Sequence, residues 1–205
     1  MSSAVGFRFV QGVYWLFLGT WFGAIVMLVV SAAIIFKTVR GYEPTIQAAP
    51  YNEFPDKAAD ILAGGTVGQI LAGLAVIQLV CAVAVLLCTV AQCTVFADRV
   101  VGGVTGWLNV LRIALLLGPM VILAADQLLI TPRLWHQRQI MYDSKQPESA
   151  RVEARQQFDH LHELDERVVG LAAIMLLAAI FASSFTLHGT SIADDRVAEE
   201  RAVDG

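Results

Sequence analysis

Along the chain, long runs without charge alternate with short stretches where charge is crowded. Phe9 to Phe36, Ile61 to Ala97 and Val168 to Ala193 contain no Asp, Glu, Lys or Arg. Leu108 to Ile130 is a fourth apolar run, interrupted by Arg112 and Asp126. Crossing a bilayer core takes about 20 apolar residues, and each run is long enough. The pattern predicts an all-α polytopic membrane protein: a bundle of four transmembrane helices with spans near 12–36, 66–93, 107–131 and 168–187. It forms a single domain over 1–190, followed by a polar, acidic tail over 191–205. No internal repeat is evident.

The connections differ in kind. Residues 37–65 hold Pro44, Pro50, Pro55 and the Gly64–Gly65 pair, which predicts an irregular loop lying on the membrane surface. Residues 94–106 read as a short turn. After Pro147, with Ser149 as N-cap, no helix breaker occurs until Gly170. One continuous helix is therefore expected from about Glu148 to Leu187, its first half in the cytoplasm. Phe158, Leu161, Leu164 and Val168 recur at three to four residues, which predicts one packed face.

Composition sharpens this picture. The 205 residues are 57% hydrophobic and only 16% charged, against about 25% charged in soluble domains. The first run exceeds the 7–15 apolar residues of a signal peptide and is read as a retained helix. A net charge of -4 without a basic stripe argues against a nucleic-acid partner. Arg8, Arg99, Arg196 and Arg201 fall on one side of a four-span chain. The other side holds Lys37, Arg40, Lys57, Arg133, Arg138, Lys145, Arg151, Arg155 and Arg167. The positive-inside bias then places loops 37–65 and 132–167 in the cytoplasm and both termini outside, in a bacterial inner (plasma) membrane. Tyr14, Trp15 and Trp107 are expected as aromatic anchors at the outer interface, and Trp135 at the inner one.

The third span carries the candidate polar membrane site. At 100° per residue, Asn109, Arg112, Pro119, Asp126 and Arg133 share one face. Pro119 removes a backbone donor near the middle and frees a carbonyl one turn earlier. Charged residues inside spans face the bundle interior or water and suggest function. The structural alternative is that Arg112 snorkels to the outer interface while Asp126 meets Arg133 or Lys37 at the inner one. Gln78, Cys81, Cys88, Thr89 and Gln92 form a second possible stripe, whose simpler role is hydrogen bonding between helices.

Other chemistry is sparse. The three cysteines, Cys81, Cys88 and Cys93, lie in one apolar run and read as packing residues. His160 and His162 point about 200° apart on a helix and cannot grip one ion together. His162 shares a face with Asp159 and Glu166, a set whose commoner role is solvated ion pairing. No catalytic motif is legible, and neither an enzymatic activity nor a cofactor is expected. G-x-x-x-G spacings occur at Gly19/Gly23, Gly64/Gly68 and Gly102/Gly106. Only Gly19/Gly23 lies well inside a span, as a contact within the bundle or between two copies.

The segments ITPRLWHQRQIM and ARQQFDHLHELDERVVGL resemble the transmembrane protein 205-like family, a domain of unknown function. Pro132 and Arg133 match the family's Pro-Arg pair after its third helix. Phe158, Leu161 and His162 match its F-x-x-L-H stretch before the fourth. WLFLGTWFGAIVMLVVSAAIIFKTV resembles its first helix and AGGTVGQIL the start of its second. The sequence departs from the family at Asp165, where a small polar residue is expected, and in a longer, Pro-rich stretch over 42–60. The resemblance implies a four-helix membrane protein without an established activity.

These residues suggest a packing or partner face of Phe158, Leu161, His162, Pro132 and Arg133. There, Phe158 and Leu161 pack near Pro132 and Trp135, and His162 bonds to the end of the third helix. Two functions follow. One is a non-enzymatic structural or accessory protein in the lipid bilayer, meeting a membrane-protein partner or a second copy through its cytoplasmic segment. The other is a small transporter or permeability factor using the polar face of the third helix.

Overall fold

The computed structural model describes residues 3–47, 50–97, 100 and 105–187. Four long helices account for most of them: α1 (Ser3–Gly41), α2 (Ala58–Thr94), α3 (Trp107–Met141) and α4 (Glu148–Leu187). All four are long and apolar enough to cross a membrane. Their surfaces agree: Met27, Val29, Leu79, Leu87, Val121, Ile174 and Phe185 are exposed, whereas Gln92, Asn109, Arg112, Ser183 and Thr186 are buried. A helix bundle in lipid tolerates that inversion, because outward aliphatic side chains meet acyl chains and polar groups must find partners inside.

α4 is one unbroken helix, as the lack of breakers predicts. It starts at Glu148, so Ser149 lies inside the first turn. The Arg151 amide donates to the Pro147 carbonyl at 3.2 Å. The loop before α2 is shorter than the composition implies, because α1 continues to Gly41 and α2 begins at Ala58. Between them lie two short 3-10 turns, Tyr51–Glu53 and Pro55–Lys57. This loop packs on the α3–α4 connection. The rings of Tyr51 and Phe54 meet Tyr142 edge-on at 5.8 and 5.7 Å, and Arg151 lies over Phe54.

α3 is regular through Pro119 and then widens into a π turn over Asp126–Ile130. The Thr131 amide donates to the Asp126 carbonyl, five residues back. Pro132 supplies the reason: in a regular α-helix its ring would collide with the Leu128 carbonyl, and a wider turn relieves that clash. The extra residue ends the predicted polar face. Asn109, Arg112, Leu116, Pro119, Leu123 and Asp126 form a buried stripe, but Arg133 is exposed and Leu134 is half-buried in its place.

The described chain divides into two compact units. The first contains α1 to Phe22, α2 from Leu79, α3 to Met120 and α4 from Ala173. The second contains α1 from Gly23, α2 to Gln78, α3 from Val121 and α4 to Ala172. In the first unit Leu18, Trp21, Val85, Leu116, Leu176 and Ala179 form the core. Tyr14 belongs there too: it is fully buried against Ser183 at 2.6 Å and is not an interface anchor.

Glycine packing also departs from expectation. Among the described residues nothing lies within 4 Å of the Cβ position of Gly19 or Gly23, so that pair shows no close helix approach. The close approach is made in the second unit by Gly64 and Gly68. A Cβ on Gly68 would stand 3.0 Å from the Trp135 ring, and one on Gly64 3.6 Å from Arg138 Nη2. Gly102 of the third spacing lies outside the described residues.

Candidate functional site

In the first unit the candidate site is built around Arg112. Its side chain is fully buried and does not snorkel. Nη1 donates to Gln92 Oε1 of α2 at 3.0 Å, and the guanidinium lies 5.7 Å from the centre of the Tyr14 ring. Gln92 thus takes the interhelical role expected of the second stripe. Thr89, Ser183 and Thr186 spend their hydroxyls on carbonyls of their own helices. Asn109, also fully buried, approaches Cys93 Sγ at 3.8 Å.

This interior holds a cation, Arg112, that makes no ion pair among the described residues. Its Nε and Nη2 have no acceptor among them. Trp21 Nε1 and Gln92 Nε2 are likewise buried donors without acceptors. A buried N–H left unpaired costs about 1–3 kcal/mol, more when charged. Such a cluster favours an acceptor, above all an anionic one, entering among these helices.

The second unit contains Asp126, 4% exposed, at the start of the π turn. Gln127 Nε2 donates to its Oδ2 at 3.2 Å, while Oδ1 is buried without a partner. Neither Arg133 nor Lys37 pairs with it. The group that meets it is Asp165 of α4, within hydrogen-bonding reach. Asp165 lies three residues before the span expected over 168–187, and its acidity is strongly weakened. Burial contributes most, followed by the hydrogen bond and charge of Asp126 and the charge of Glu166.

From sequence, Asp165 stood out only as a departure from the resembled family and was not among the candidate site residues. The rhythm Phe158, Leu161, Val168, Ala172 admits Asp165 at the position given to Leu164, which is 41% exposed. His162 does not bond to α3: its Nε2 pairs with Glu166 on its own helix at 3.3 Å and its ring stacks on Phe158. Leu161 does come near the end of α3. An open groove of about 590 Å³ is lined there by Pro132, Arg133 and His136 of α3 and by Gln156, His160 and Leu161 of α4. Trp135 packs elsewhere, on Gly68. Arg138 caps the Ile61 carbonyl of α2 at 2.9 Å. No cluster of three or more His, Cys, Asp or Glu able to hold a metal occurs among the described residues.

No protein-family model, curated protein or solved structure matches this chain.

Proposed function

We propose that this is a small membrane carrier or permeability factor that accommodates an anionic group at Arg112. One observation carries the reading: a permanently charged guanidinium is buried in an apolar helix bundle with two of its nitrogens unpaired and, among the described residues, no carboxylate paired with it. Placing a charge there is costly, and such residues mark substrate or ion paths by default. The test is thermal unfolding of the purified protein with chloride, acetate or phosphate at matched ionic strength. At least one anion should raise Tm for the wild type and not for Arg112→Met. Equal responses from both proteins, or none from either, would sink the reading.

A second reading is favoured by the groove between Pro132 and Leu161. In it the chain is a non-enzymatic accessory protein resembling the transmembrane protein 205-like family, and a partner protein seats on that groove. Co-purification of a defined partner that is lost on Leu161→Arg would favour it.

Both readings take the topology proposed from charge, with the termini outside and the groove in the cytoplasm of a bacterial inner membrane. In a variant lacking its native cysteines, a new thiol at Ser144 should resist an impermeant reagent added outside the cell. Labelling there reverses the orientation.

A further inference from the structure

We propose that Asp126 and Asp165 form a proton-binding site, in which one proton taken from water is held between the two carboxyl groups. The site goes beyond the anion reading and does not depend on Arg112. Two ionised carboxylates are acceptors only and cannot bond to each other. In that state the pair places two like charges together and leaves the buried Asp126 Oδ1 without a donor. A single added proton answers both faults: one carboxyl becomes a donor to the other, and the charge of the pair falls from two negative to one.

Among the described residues no basic side chain forms an ion pair with either carboxyl. Gln127 already donates to the opposite oxygen, Oδ2. Glu166 adds further negative charge and is engaged by His162 on the same helix. Arg167, two residues after Asp165, pairs with Glu163. On the other two helices of this unit, Arg40 of α1 pairs with Asp60 of α2, and Lys37 is exposed and unpaired. Every group acting on Asp165 therefore favours its protonated form, raising it to about 7, so the proton exchanges near neutral pH. A divalent ion fits less well, because among the described residues no three His, Cys, Asp or Glu side chains are grouped so as to hold one.

Infrared spectroscopy of the wild-type protein labelled with 13C-aspartate tests the site directly. As pH is lowered through about 7, the stretch of one protonated, buried carboxyl should appear. It should be absent from Asp126→Asn and from Asp165→Asn. If all aspartates instead titrate near the ordinary value of about 4, the proposal is overturned. It is overturned equally if millimolar calcium, magnesium or zinc removes the band at fixed pH, which would make the pair a metal site. The wild-type titration decides even where a variant fails to fold.

Discussion

The surroundings of Arg112 in the first unit and of Asp126 in the second bury opposite kinds of polar imbalance. Around Arg112 guanidinium, indole and amide N–H groups stand without acceptors. At Asp126 and Asp165 acceptors are in excess, two carboxyls with one amide donor between them. Both sites lie on α3 at buried positions, yet they call for different ligands. A donor surplus is filled by an anion or a carbonyl-bearing group, and an acceptor surplus by a proton. Burying a polar residue thus says little about chemistry until the sign of its unpaired atoms is counted.

Matched substitutions sharpen this contrast. The largest effects belong to apolar residues one turn from each site. Leu116→Ala, beside Arg112 in a closed core, should cost about 2–5 kcal/mol in Tm-derived stability. Leu123→Ala, beside Asp126, should fall at the lower end, because Leu123 is 8% exposed against 2% for Leu116. Arg112→Met should have the opposite sign. It removes an uncompensated buried charge, offset partly by the orphaned Gln92 oxygen, for a gain of about 1–2 kcal/mol. A clear loss would mean that the cation is already neutralised within the bundle.

The pH response should separate the units. The folded chain holds the Asp165 proton to about pH 7, whereas the unfolded chain releases it near 3.8. Between those values the folded state binds more protons, so stability is full below the window and falls as pH rises through it. A Tm decrease of several degrees across that window is expected, and it should vanish in Asp165→Asn and persist in Arg112→Met. The smallest effects are those of the glycines. Gly68→Ala pushes on the Trp135 ring and should cost about 1 kcal/mol. Gly19→Ala meets nothing within 4 Å and should gain about 0.5–1 kcal/mol through helix propensity. A loss at Gly19 accompanied by a change in oligomeric state would instead mark it as a contact between copies.

Helix positions were legible because three uncharged runs of bilayer length, and a fourth broken only by Arg112 and Asp126, leave few other folds open. The buried stripe from Asn109 to Asp126 was legible from spacing alone. Asp165 was hidden by its setting: it lies in a charge-rich segment where one more carboxylate attracts no notice, and the neighbouring Leu164 offers a more familiar apolar rhythm. Its departure from the resembled family's small polar residue pointed to the same position. The burial of Arg112 was underestimated because five residues from Trp107 seemed near enough to reach an interface. The π turn has a single sequence mark, Pro132, which forbids the regular helix without saying how the chain will respond.

That turn acts as a frameshift in the helix's code of faces. Upstream of it, steps of three and four residues lead inward. Seven residues beyond Asp126 the count fails, and eight succeed, at Leu134. Any periodicity measured across the turn blends two registers and describes neither. One residue of chain length therefore sets which basic side chain at this end of α3 faces α2. In the present frame Arg138 reaches the Ile61 carbonyl and Arg133 is left at the groove. Closing the turn at constant length, through Pro132→Ala, would rotate everything after it by about 100°. Arg133 would swing into the place of Leu134, and Arg138 would leave the Ile61 carbonyl.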